Sequence, residues 1–287
     1  MRLPSIRVHC WGGLGSQLYA WSLIVQLKEK YPNRNFVLMA HSSGVTRREN
    51  ELNLVVSDFE IIQVDDFKQT ATFNSNANSM HTVAWFFRLI LRLTANFSKL
   101  NLSPDKDSNL PKIFLWTRSI RGHYSYLAIP DKVIDQILKY SCLVQQTPEN
   151  GFPSIGLHYR LGDLTTLSNK SPMPEARLSS VLSSVAKGFN DNSIRLFSDS
   201  PELAKKRLND IEPLLQIGIV EASIWETISY LSRTTIFVGT HSKITIWVCL
   251  LRLVCNEKGS IYVPEEMRKD IFRNVTSPVA KSRINFY

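Results

Sequence analysis

The chain has 287 residues, a net charge of +9, a pI of about 9.4 and 44% apolar residues. That is enough apolar material for one large domain or two ordinary ones, and it excludes a disordered polymer. The positive balance favours an anionic neighbour, but the absence of a long Lys/Arg run argues against a dedicated nucleic-acid binder.

Four cysteines (Cys10, Cys142, Cys249, Cys255) include no C-x-x-C pair, so zinc is not expected. Their apolar neighbours predict buried thiols in a reducing compartment. Met1–Arg7 leads into an alternating strand rather than a long apolar run, so no signal peptide is expected and the location predicted is cytoplasmic. The sequons at Asn96, Asn101, Asn169 and Asn274 then read as chance.

In chain order, Ile6–Cys10 predicts a first strand, followed by the turn Trp11-Gly12-Gly13-Leu14-Gly15. Ser16 is the expected N-cap of a helix to about Lys30, and Asn35–Ala40 the next strand. Leu54–Val64 predicts another strand and 66–80 a Thr/Asn/Ser-rich loop. Val83–Leu93 is too short to span a bilayer. With Arg88 and Arg92 on one face, it reads either as an amphipathic helix lying on anionic lipid or as a core helix with two solvent-facing arginines. A strand is predicted at Lys112–Trp116 and a helix at Pro130–Val144. The linker Gln145–Pro153 sets domains of 1–147 and 148–287.

Beyond the linker, strands are predicted at Ser154–Tyr159, Ile194–Phe197, Leu215–Ile219, Thr235–Val238 and Ser260–Val263. They alternate with helices at Glu175–Lys187, Pro201–Leu208, Ser223–Ser232 and Ser242–Cys255. This alternation implies right-handed crossovers and a parallel, Rossmann-like sheet. The basic tail Pro264–Tyr287 is expected to cross back to the first domain.

Polar residues collect just past three of these strands: His158–Asp163, Ser198-Asp199-Ser200 and Thr240–Thr245. In a parallel sheet those ends share one edge, where ligands bind. Arg160 offers a bidentate anion fork. Ser242 and Thr245 place hydroxyls beside the free N–H groups of a helix start. A nucleotide phosphate between them is the expected guest, with Asp199 accepting from a base or ribose. The loop Gly13-Leu14-Gly15-Ser16-Gln17-Leu18 lacks the third glycine of a dinucleotide fingerprint, and it is read as a tight turn approaching a ligand. Asp105-Lys106-Asp107 is the one D-x-D and reads as a solvated loop, so no metal is expected.

Gly12–Tyr19 resembles the G-G-L-G-N-Q-L-F signature of the glycosyltransferase family 11 α-1,2-fucosyltransferases. Arg121–Tyr126 is similar, more loosely, to their G-Y-W-Q-S-x-x-Y stretch. His158–Asp163 resembles H-x-R-R-x-D, Phe197–Asp199 resembles F-S-D-D, and Thr240–Trp247 resembles A-N-S-S-F-S-W-W. The order and spacing agree over about residues 6–250. The resemblance implies an α/β, GT-B-like fold: two Rossmann-like domains facing a central cleft, with the acceptor on the first and the donor on the second. It further implies a donor site of Gly13, Gly15, Gln17, Arg160, Ser198, Asp199, His241, Ser242 and Thr245. Arg160 would meet the β-phosphate, Asp199 the guanine, and Ser242 with Thr245 the diphosphate. Arg160, His158 and Asp163 are the catalytic candidates. The partners that the resemblance implies are GDP-fucose and a galactose-containing glycan; the basic charge and the 83–93 segment fit a lipid-linked acceptor and peripheral contact with an anionic membrane, and the scattered charges predict no nucleic acid. No cofactor or metal is implied.

Three residues depart from the pattern: Leu161 replaces the second Arg, Ser16 an Asn, and Ser200 the second Asp. They leave room for another nucleotide sugar, or for a non-catalytic nucleotide- or glycan-binding protein. His158, Asp163 and His9 are alternative general bases.

Overall fold

The computed structural model describes residues 4–43, 47, 49–52, 59–66, 98–102, 110–143, 155–165, 172–189, 193–255 and 259–287. The expected helix at 83–93, the Asp105–Asp107 pair, the linker 145–153 and Asn169 lie outside them. The chain forms two compact units, Met1–Val133 and Ile134–Tyr287. Each is a parallel α/β layer, so two Rossmann-like units follow one another, as in the GT-B-like plan.

Unit 1 contains β1 (Ile6–Trp11), α1 (Leu14–Lys30), β2 (Phe36–His41), β3 (Glu60–Val64), β4 (Lys99–Leu102) and β5 (Ser119–Gly122). The sheet order is β3-β2-β1-β5-β4, all parallel. Ile6, Val8 and Cys10 alternate along β1 and are buried, as period-two side chains must be to share one face. α1 is buried along nearly its whole length, from Leu14 to Leu27, and leaves only its basic end in water. It starts two residues before Ser16. Gly13 stands at the cap and its carbonyl accepts from Ser16 N at 2.9 Å, so the predicted cap residue already lies inside the first turn. Gly12 takes φ +106°, which only glycine adopts cheaply, and turns the chain from β1 into α1.

The expected strand at 112–116 is a turn instead. Thr117 N donates to Phe114 O at 3.0 Å and Phe114 N to Thr117 Oγ at 3.1 Å, which closes the backbone on itself. The strand is β5, immediately after it. Gly122 at its end has φ +136°, and a Cβ there would lie 2.1 Å from the Leu102 carbonyl, so β4 and β5 meet only because this residue has no side chain.

α2 (Asp131–Leu143) precedes β6 (Ile155–His158). Unit 2 then runs α3 (Glu175–Phe189), β7 (Ser193–Phe197), α4 (Pro201–Asn209), β8 (Gln216–Ile219), α5 (Ile224–Arg233), β9 (Ile236–Gly239), α6 (Lys243–Cys255) and β10 (Ser260–Val263). The tail adds α7 (Arg268–Phe272), α8 (Pro278–Ser282) and β11 (Ile284–Phe286). The sheet order β8-β7-β6-β9-β10-β11 is that of a doubly wound sheet, reversing between β6 and β9. All four residues of β6 and of β9 are buried, as central strands covered on both faces require. The tail does not pass to the first unit: β11 pairs in parallel with β10, Ile261 opposite Ile284.

Two local devices hold the switch region. Ser223 and Glu226 form a reciprocal capping box at the start of α5. Arg252 of α6 is fully buried, and its guanidinium donates to the carbonyls of Leu231, Thr234, Thr235 and Ser260 at 2.7–3.2 Å. Burial pushes its pKa down to about 10. The cation thus satisfies the carbonyl end of α5 and ties it to β10.

Candidate functional site

The reversal between β6 and β9 is stitched by Thr240. Its N–H and Oγ–H both donate to His158 O, at 3.0 and 3.1 Å, and its Oγ accepts from Arg160 N at 3.1 Å. Arg160 is therefore held by its backbone at the switch point, half-buried beyond β6. Leu161, where the motif has a second Arg, is fully buried in the unit 2 core with Tyr159. The loop beyond is gripped by Asp199: its Oδ1 accepts from Leu161 N at 2.9 Å and Gly162 N at 3.0 Å. A Cβ on Gly162 would sit 2.2 Å from Asp199 Oδ2, so the carboxylate fits only over a glycine. Asp163 lies in the 3₁₀ turn Gly162–Thr165 that follows.

His158 is buried and bonded through Nδ1 to Thr245 Oγ at 3.1 Å. Thr245 gives its one hydroxyl proton to Thr240 O at 2.7 Å. Its oxygen must therefore accept, which assigns the proton of His158 to Nδ1 and leaves Nε2 as an acceptor. Burial pushes the His158 pKa down to about 4; nearby Arg160 adds to this and Asp199 opposes it. The imidazole is neutral near pH 7. Thr245 is fully buried with its hydroxyl committed on both sides, so it orients His158 instead of presenting a free hydroxyl. Ser242 caps α6, its Oγ accepting from Ile244 N at 3.2 Å. His241 is exposed on the turn before it, and Ser198 Oγ accepts from Ser200 N at 3.1 Å.

The remaining predicted residues, Gly13, Gly15 and Gln17, belong to unit 1. Gln17 is buried and latches residues 49–51. Its Nε2 donates to Glu49 O at 2.7 Å, and its Oε1 accepts from Glu51 N at 2.9 Å. Glu51 in turn accepts from Leu14 N at 2.8 Å, filling the start of α1 with a carboxylate of this chain.

Unit 1 also contains a relay not foreseen in the sequence. Asp66 Oδ2 lies 2.7 Å from His41 Nδ1, and His41 Nε2 lies 2.8 Å from His9 Nδ1. The carboxylate accepts from His41 Nδ1–H. With neutral rings His41 Nε2 then accepts from His9, leaving His9 Nε2 unprotonated. Burial pushes the His9 pKa down to about 4, with Arg121, His41, Arg7 and Lys99 adding to it. The signal available was positional, since His9 and His41 lie along adjacent parallel strands and Asp66 just past the third.

No protein-family model matches the sequence, and no curated protein matches it. Solved structures with a similar chain path include E. coli heptosyltransferase WaaC with ADP, at 11% identity and a TM-score of 0.46, covering 98% of this chain and 92% of that one. POFUT1 in complex with GDP matches at 11% identity and a TM-score of 0.42, covering 91% and 98%. A family 9 glycosyl transferase from Veillonella parvula matches at 12% and 0.40, covering 92% and 81%.

Proposed function

We propose that this chain is a nucleotide-sugar glycosyltransferase, with unit 2 as the donor half and GDP-fucose as the donor. The observation that supports it most is the anchoring of Arg160 at the sheet reversal, on the strand edge shared with the Ser242-capped start of α6. In such a site an acceptor hydroxyl attacks the anomeric carbon. The bond from that carbon to the β-phosphate oxygen breaks, GDP leaves with the electron pair, and configuration inverts. The acceptor proton passes to a base. Negative charge grows on the departing phosphate, where a fixed guanidinium and aligned helix amides help most because they need no reorganisation. The acceptor that the sequence motifs favour is a galactose hydroxyl of a glycan, with α-1,2 linkage.

A thermal-shift panel of GDP-fucose, GDP-mannose, UDP-sugars and free nucleotides tests the donor. Stabilisation by GDP-fucose above the others is expected, followed by transfer to a galactoside. No shift with any nucleotide removes the proposal. Leu161 in the core and the committed Thr245 hydroxyl favour a second reading, a nucleotide-binding protein without turnover. Binding of GDP-fucose without hydrolysis or transfer would establish it.

A further inference from the structure

One edge of unit 1 joins two features that the donor reading leaves unused. The first is the turn Phe114-Leu115-Trp116-Thr117. Three consecutive large apolar side chains there are 50%, 69% and 56% exposed. Isolated exposed apolar residues are ordinary, but three in one turn are a patch. The turn is held rigidly: Arg34 Nη2 donates to Thr117 O at 3.0 Å, and Arg118 Nη1 to Leu115 O at 2.8 Å. The Phe114 and Trp116 rings stack at 5.0 Å, nearly parallel.

The second feature begins at Arg118, which also lines a cavity of about 570 Å³ with Arg7, His9, Lys99, Ser119 and Arg121. The register sets Arg7, Ser119 and Lys99 side by side across β1, β5 and β4. Arg7, Lys99 and Arg118 are exposed at the rim, whereas His9 and Ser119 are buried. No ion pair joins Arg7, Lys99 or Arg121 to a carboxylate among the described residues. Among the described residues the Arg118 guanidinium bonds to main-chain carbonyls, those of Leu115 and Thr117. Ser119 is 9% exposed, and its Oγ and the Arg121 Nε are buried without a partner among the described residues. The depressed His9 pKa, lowered in part by Arg121, Arg7 and Lys99, agrees with an uncompensated positive field.

We propose that this edge docks on an anionic phospholipid surface, the 114–117 turn entering the interface while the cavity takes a headgroup phosphate. Aromatic and leucine side chains seat at the boundary between headgroups and acyl chains, and lysine and arginine pair with the anionic layer. Among the described residues no helix is long and apolar enough to cross a membrane.

Flotation of the full chain with phosphatidylglycerol-containing vesicles tests it, with phosphatidylcholine-only vesicles alongside. The chain is expected to float with the first and not the second. Lys99→Met and Arg7→Met should each weaken binding about fivefold. Leu115→Ser and Trp116→Ser should each weaken it roughly tenfold, the loss of one inserted side chain. All four positions are exposed, so the variants should fold. Their transfer rate to a soluble galactoside should stay unchanged, which separates failure of docking from failure of the donor reading. Absence of flotation with anionic vesicles overturns the proposal. So does flotation that ignores Leu115→Ser and Trp116→Ser, and so does binding of inorganic phosphate by a cavity whose chain does not float.

Discussion

Each unit places a helix start near the centre of a parallel sheet, and the two starts are used differently. At α1 the first amide is met by Glu51 at 2.8 Å, with Gln17 fastening the loop that delivers it. At α6 the cap is the neutral hydroxyl of Ser242, and the backbone of Arg160 is anchored at the adjacent strand end. A helix start that already holds a carboxylate repels a second anion, whereas one capped by a neutral hydroxyl leaves its dipole open to one. The glycine-rich turn is thus the better-known motif but the poorer phosphate site.

The largest expected break in this contrast is Arg160→Ala. It should cost at least about two orders of magnitude in turnover, the value of one preorganised oxyanion donor. A single-turnover assay with GDP-fucose reads it, and an unchanged rate would remove Arg160 from the mechanism.

Next, alongside His9 of unit 1 over the same window, comes a pH effect from unit 2's buried His158. Its folded pKa of about 4 lies below the unfolded value of 6.5, so between these limits the unfolded chain binds more protons. Stability from keeping this ring neutral is complete above pH 6.5 and is lost as pH falls toward 4, by about 3 kcal/mol. Urea unfolding across that window measures it, and His158→Asn should lower the slope there by its own share, leaving that of His9.

Thr245→Val is smaller. It leaves the His158 Nδ1–H and the Thr240 carbonyl without their shared hydroxyl, at a cost of about 1–3 kcal/mol. An unaltered melting point would show that water replaces the bridge.

The smallest effect sharpens the comparison from the other side. Glu51→Gln should destabilise unit 1 by about 1 kcal/mol through loss of the charged cap, while nucleotide affinity stays unchanged. A fall in affinity would mean that the α1 start serves the donor after all.

The central strands of unit 2 were legible because β6 and β9 are short apolar runs ended by polar turns. Their helices announced themselves through Ser200-Pro201, Ser223 and Ser242. Lys99–Leu102 and Ile284–Phe286 were not legible. They are short edge strands whose pairing partners, rather than their composition, make them strands. Ile113–Trp116 misled because an apolar run normally signals burial, and here it signals exposure. At the site, Arg160 and the Ser242 cap could be read from type and position. The engagement of Asp199 with two amides 37 and 38 residues earlier could not, nor could the commitment of Thr245 to a carbonyl five residues back. Local sequence shows that a polar side chain exists at a strand end, but not whether the fold has already spent it.

One consequence concerns how the second sheet comes into being. Its last strand supplies the partner of β10, and Tyr287 closes it: the hydroxyl donates to Gly239 O at 2.9 Å, and the main-chain oxygen accepts from Arg177. β10 therefore gains its second neighbour only once Ile284–Phe286 have been made. Until then β10 is the outer strand, and afterwards the three-residue β11 takes that place and presents a shorter edge to other chains.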